Sequence, residues 1–266
     1  MELQVTTDRK FTQQQTDQFW RERGRDAAQE GLTTTGTDPS QTVVQVAAIM
    51  SYLRPEDRVL DVGCGVGDNT LRFAEVVSFV KGLEFSDTLY GLALDRQREQ
   101  GATNVEFVRN DITQFSSSEE FDKVVSIQCL INLMSVTDQH RAIQNIHRSL
   151  RPGGTYLMLE PSKQGLESLN KYRVALGLSA IHESQHNNNF DEPSLLEFLR
   201  PHFRLVSRNR TLATYYFISR VFHPFYVGPQ QPEFESRINE VAADIALKFP
   251  YISDIECSPL YVLEKR

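Results

Sequence analysis

The stretch Val59-Leu60-Asp61-Val62-Gly63-Cys64-Gly65-Val66-Gly67 decides the fold. A short, mostly apolar run reads as a buried strand when it is cut off abruptly, and here the cut is a glycine at every second position. Glycines so placed let the backbone turn tightly and approach a ligand with no Cβ in the way. Strand, glycine loop and helix in that order are the first unit of an open α/β sheet. The GxGxG spacing departs from the GxGxxG of dinucleotide-binding loops, which counts against a nicotinamide-dependent oxidoreductase.

The pattern continues on both sides. Upstream, Val43, Val44, Val46, Ala47, Met50 and Leu53 recur at helical spacing and stop at Arg54-Pro55, because a residue before proline avoids the α region. Downstream, strands are expected at 79–84, 105–111, 121–128 and 155–160. Helices are expected at 69–77, from Asp87 as N-cap to about 100, and at 137–150 up to Arg151-Pro152-Gly153-Gly154. Further on come a helix and polar loop over 163–190, a helix at 193–199, strands at 203–208 and 259–265, and a helix at 234–249. Strands alternating with helices predict a Rossmann-like, doubly wound, mostly parallel seven-stranded sheet. The domain organisation read from the sequence is an N-terminal lid over 1–40 and one domain over 41–266. Segments 163–200 and 209–257 are then substrate-side insertions after strands 5 and 6.

Composition bounds the function. The 266 residues are 40% hydrophobic and 24% charged, as in an ordinary globular protein. Lys and Arg number 28 against 35 Asp and Glu, a net charge of −7, which opposes a nucleic-acid partner that needs a basic face. Cys64, Cys129 and Cys257 are odd in number and far apart, so neither a disulfide framework nor a zinc site is expected. There is no apolar run of membrane-span length, and the first ten residues lack a signal-peptide core. These features lead to the expectation of a cytoplasmic protein with no membrane partner and no metal, and the reading admits a homodimer.

Three acids stand at the ends of successive strands: Asp61 within the end of the first, Glu84 ending the second and Asp111 ending the third. Together, DVGCGVG (61–67), Glu84, Asp111-Ile112, FDKVVSIQ (121–128) and LRPGGTYLMLE (150–160) resemble the class I S-adenosylmethionine-dependent methyltransferases over about residues 41–160. The resemblance implies S-adenosylmethionine as cofactor. It also implies that Asp61, Gly63 and Gly65 surround the methionine part and that Glu84 holds the ribose hydroxyls. Asp111 and Ile112 then meet the adenine, and the main chain near Gln128 lies by the amino group. For Glu84 the plain alternative is a solvated strand end, for Asp111 a turn cap, and for Cys64 a small filler.

Acceptor residues are sought beyond the carboxyl ends of the strands. In IHESQHNNNF (181–190), His186 and then His182 are the candidate general bases, because histidine titrates near neutrality; the alternative is a plain surface loop. Candidate acceptor contacts are Trp20, Asn132, Arg173, Arg220 and His223, with the last three able to hold an anion. Phe19 and Trp20 stand in a polar segment and are expected to fold over bound ligand. After the fourth strand, Cys129-Leu130-Ile131-Asn132 lacks the Pro-Pro-aromatic motif of DNA and amide N-methyltransferases. The segments LN-x-x-R (169–173), HNNNF (186–190) and YYFISRVFHP (215–224) resemble methyltransferases of polysaccharide and secondary-metabolite pathways. The expected activity is methyl transfer to an oxygen or nitrogen of a small molecule, such as a sugar. The rivals are an RNA or protein methyltransferase on the same fold and a non-catalytic cofactor-binding protein.

Overall fold

The computed structural model describes residues 10–30, 38–228 and 236–266. Parts of the expected lid (1–9 and 31–37) and of the second insertion (229–235) therefore lie outside the described residues. Seven strands form one sheet: β1 (Arg58–Val62), β2 (Phe79–Glu84), β3 (Val105–Arg109), β4 (Phe121–Ile127), β5 (Leu150–Leu159), β6 (Phe203–Asn209) and β7 (Leu260–Lys265). Their order is β3-β2-β1-β4-β5-β7-β6, with β7 antiparallel to both neighbours and every other pair parallel. The order reverses at β1, so the carboxyl ends of β1 and β4 flank a switch-point crevice where open α/β sheets hold ligands.

Ten α-helices are described. Before β1 come α1 (Gln13–Glu30) and α2 (Pro39–Met50). Between the parallel strands lie α3 (Asp68–Ala74), α4 (Asp87–Gln100) and α5 (Val136–Ser149), and after β5 come α6 (Lys163–Ala175) and α7 (Glu192–Leu199). The stretch between β6 and β7 holds α8 (Ala213–Tyr216), α9 (His223–Val227) and α10 (Arg237–Lys248). Helices cover both faces, and buried side chains divide into two clusters. Val59, Val80, Val125 and Leu157 point to one cluster, whereas Leu60, Leu83, Val124 and Tyr156 point to the other. That alternation is the two-residue period of a strand buried on both faces.

Several local expectations shift. Ser86, not Asp87, caps α4, its hydroxyl accepting from the Leu89 amide, and Asp87 becomes the first helical residue. Arg151-Pro152-Gly153-Gly154 lies within β5, where the register slips opposite Phe121 and Lys123; proline is tolerated in a sheet at such a bulge. The aromatic segment 213–227 is helical throughout, with a π-helical turn at Phe217–Phe222 between α8 and α9.

Candidate active site

One cavity of about 770 Å³ opens at the switch point. Its inner half is built by the loop after β1. Gly63, Gly65 and Gly67 all take positive φ (72°, 56° and 83°), a region that side chains other than glycine rarely enter. A Cβ at Gly63 would stand 2.3 Å from Cys129 Sγ, so the loop also needs glycine to pack against the turn after β4. The amides of Gly63 and Cys64 both donate to the Leu83 carbonyl, at 2.8 and 3.0 Å, which ties the loop to the end of β2.

Glu84 sits at that end, buried. Its Oε2 accepts from the Gly65 amide at 3.0 Å and its Oε1 from the Ser86 amide at 2.8 Å. Burial pushes its carboxyl up to about 7 against these backbone donors. Asp61 is also buried, accepts from Thr70 Oγ1 at 2.6 Å, and is pushed by burial up to about 6. Asp111 lines the cavity while its Oδ1 accepts from the Thr113 amide at 2.8 Å, so it caps a turn and faces the crevice at once. Ile112 is buried on the same wall. Gln128 has φ 51°, the one non-glycine with positive φ among the described residues; its carbonyl accepts from Asn132 Nδ2 at 2.9 Å. Asp61, Gly63, Gly65, Glu84, Asp111, Ile112 and Gln128 thus share one cavity wall. Two buried acids whose ionised forms burial disfavours, beside apolar Val62, Ile112 and Leu89, suit a cofactor with a positive charge, a diol and a flat ring.

The outer half is closed by α1, α2 and the loop 181–190. Gln13 reaches across from α1, donating to the Asn132 carbonyl at 3.2 Å and accepting from the Met134 amide at 2.8 Å. Lys10 Nζ donates to the Ser184 and Asn187 carbonyls, each at 2.9 Å, and pairs with Glu183. Phe19 stacks on His186 with ring centroids 4.3 Å apart, and Trp20 meets the same imidazole edge-on at 5.8 Å. Burial, and then the charge of Lys10, push His186 below the usual histidine range, so the ring stays neutral at pH 7.

The structure brings Trp20, Asn132, His186 and Arg220 to the cavity and leaves three expected residues off it. His182 is exposed, four residues before His186 in a loop from which Ile181, Ser184, His186 and Asn187 line the cavity. Arg173 is buried and committed to backbone, its guanidinium donating to the Ser179 carbonyl at 2.9 Å and to the Arg220 carbonyl. His223 lies three residues past Arg220 across the π-helical turn, where residues three apart no longer share a face. The anion-holding trio expected from the sequence is therefore not assembled.

Other residues take its place. Arg220 Nη2 pairs with Asp38, buried at the start of α2, where Tyr215 also donates to both carboxylate oxygens at 2.6 and 2.8 Å. The Asp38-Pro39 pair is an N-cap followed by proline at the first helical position, a signal present in the sequence. Glu160, buried at the end of β5, accepts from the amides of Cys129 and Leu130 (both 3.1 Å) and Ile131 (3.4 Å), and from Ser126 Oγ (2.9 Å). Burial pushes it up to about 7, and it fixes the 3-10 turn Leu130–Asn132 that floors the outer half. Among the described residues no cluster of three side chains suits a metal ion.

Fold and site define a class. Residues 59–154 match the family model described as a methyltransferase domain, the class whose motifs this chain resembles. Among similar curated proteins is the ubiquinone/menaquinone biosynthesis C-methyltransferase UbiE of Vibrio parahaemolyticus, 34% identical over 126 residues, which are 46% of this chain and 48% of that protein. The UbiE protein of Ectopseudomonas mendocina is 36% identical over 126 residues, with the same shares. The chain thus spans about half the length of the curated relatives it matches. Among solved structures, phosphoethanolamine N-methyltransferase 1 of Haemonchus contortus is similar over 96% of this chain and 50% of its own, at 14% identity and a TM-score of 0.60. The [4+2]-cyclase SpnF is similar over 85% and 80%, at 22% identity and a TM-score of 0.56. These two likenesses concern the fold, which serves both a methyltransferase and a cyclase.

Proposed function

We propose that this protein transfers a methyl group from S-adenosylmethionine to an oxygen or nitrogen of a small molecule held under α1. The observation that carries this reading is the single cavity with two unlike halves. Its inner half carries the glycine loop and buried acids, and its outer half is walled by aromatics, amides and a neutral imidazole. In this reading Glu84 takes the ribose hydroxyls, Asp111 and Ile112 the adenine, and Asp61, Gly63, Gly65 and the Gln128 carbonyl the methionine part. When bound, the cofactor supplies an electrophilic methyl group on a sulfonium.

The rest falls to the chain. Phe19 and Trp20 exclude water and hold the His186 ring flat against α1, and the turn Leu130–Asn132 orients the acceptor. An imidazole nitrogen of His186 takes the acceptor's proton as the nucleophile attacks, and its lowered proton affinity keeps it ready to do so. The UbiE relatives favour a second reading, methylation at carbon, because they are C-methyltransferases and their identity reaches 34–36%.

The test is a transfer assay with an isotopically labelled methyl donor against glycosides, nucleotide sugars, small amines and quinols, with the methylated atom identified by NMR. Methyl on oxygen or nitrogen is the expected outcome, and methyl on carbon selects the second reading. His186→Gln should keep cofactor affinity and lose about a hundredfold or more of turnover. Absence of S-adenosylmethionine binding in calorimetry removes both readings.

A further inference from the structure

Four buried polar atoms of the cavity residues have no hydrogen-bond partner in the protein: Thr16 Oγ1, Trp20 Nε1, Gln45 Nε2 and Asn132 Oδ1. They come from three separate walls. Thr16 and Trp20 are four residues apart on α1 and share a face, Gln45 interrupts the apolar side of α2, and Asn132 ends the 3-10 turn. Thr16 is 1% and Gln45 3% exposed. Buried polar groups are nearly always paired, so several around one cavity indicate that their partner is a ligand.

Their chemistry specifies it. An indole N–H only donates, the Gln45 amide nitrogen donates, and the Thr16 hydroxyl does either. Asn132 Nδ2 is already bonded to the Gln128 and Cys129 carbonyls, at 2.9 and 3.2 Å, which fixes Oδ1 as an acceptor turned the other way. The ligand must therefore offer oxygens that accept and at least one hydroxyl or N–H that donates.

Charge narrows it further. Seven acidic side chains and two arginines line the cavity. Arg220 is paired with Asp38, and drawing it onto a ligand carboxylate or phosphate would strip that buried Asp of its cation.

We infer that Thr16, Trp20, Gln45 and Asn132 form the acceptor-recognition site and that it takes a neutral, hydroxylated small molecule in preference to a carboxylate or phosphate. This rests on the reading of the outer half as the acceptor half of a methyltransferase. It assigns recognition to Thr16 and Gln45, which no motif marked, in place of the anion-holding trio Arg173, Arg220 and His223.

The test uses the full chain saturated with S-adenosylhomocysteine, titrated with methyl hexopyranosides and dihydroxyphenyl compounds and with the same frames carrying a carboxylate. Binding is read by the emission of Trp20 and by thermal shift. The neutral compounds should bind at least tenfold more tightly than their carboxylate counterparts. Thr16→Val and Gln45→Leu, both close in size to the originals, should each weaken them about tenfold with S-adenosylhomocysteine affinity unchanged. A preference for the carboxylates, no response to any neutral compound, or no effect of the two substitutions overturns the inference and leaves the methyltransferase reading standing. Loss of S-adenosylhomocysteine affinity in those variants assigns the array to the cofactor and also overturns it. Failure of the unsubstituted chain to bind S-adenosylhomocysteine sinks the methyltransferase reading, and this inference with it.

Discussion

Glu84 shows how one side chain serves both fold and chemistry. Its two oxygens already hold the Gly65 and Ser86 amides, so the carboxyl braces the glycine loop before any ligand arrives. Burial raises its pKa to about 7, above the unfolded value near 4.3. An acid raised in this way contributes stability that is fully present below about pH 4.3 and is lost as pH rises through about 7. Cofactor binding runs in the opposite sense in our reading, since the ionised form is the stronger acceptor for ribose hydroxyls. Affinity for S-adenosylmethionine should therefore rise between pH 6 and 8, and Glu84→Gln should lose at least tenfold in affinity and most of that pH dependence. Calorimetry across this range is the check, and an unchanged slope in the variant would place the titrating group elsewhere.

At the scale of elements, the turn Leu130–Asn132 hangs from Glu160. Replacing Glu160 by Ala leaves three amides and the Ser126 hydroxyl without their acceptor, a loss of about 3 kcal/mol if only part of it is recovered by water. For a chain of this size that is a fall of roughly 5–10 °C in Tm, measurable by calorimetric melting. Acceptor KM should rise as well, because Asn132 ends that turn. Glu160→Gln, which keeps an acceptor oxygen, should cost less on both counts. The parallel strands were legible because a strand buried on both faces is a short apolar run ended by a turn, and β1, β2 and β4 all read that way. The π-helical turn Phe217–Phe222 was not, since β-branched and aromatic residues favour extended chain and only burial against α6 and α10 makes the segment helical. Helix α1 was equally hidden. Its sequence carries few apolar groups, and it rests on α4 through Gly24 and Ala27 instead of a broad apolar stripe. In the candidate site, Glu84 and Asp111 follow from their places after strands, whereas Thr16, Asp38 and Gln45 meet only through tertiary structure.

For the molecule as a whole, α1 is in our reading the movable wall of the cavity. It is fastened at its start by the Phe11 amide on the Gln185 carbonyl at 3.0 Å and by Lys10, and in the middle by Gln13. Towards its end Thr88 Oγ1 donates to the Arg21 carbonyl at 3.2 Å. None of these contacts belongs to the two large clusters that flank the sheet, so α1 can open without unfolding the sheet. Its tightest point is Gly24, where a Cβ would stand 2.3 Å from Thr88 Oγ1 and 3.1 Å from Leu89 Cγ. Gly24→Leu therefore lifts α1 from α4 and opens the outer half of the cavity, while the inner wall with Glu84 and the glycine loop stays in place. The helix then no longer excludes water from His186 or holds the acceptor. Turnover should fall at least tenfold with cofactor affinity reduced far less, and the main melting transition should move by only a few degrees. Trp20 is the only tryptophan, so its emission reports the opening directly and should shift to longer wavelength. Normal turnover together with a red-shifted Trp20 would show that closure of α1 is not needed for the reaction.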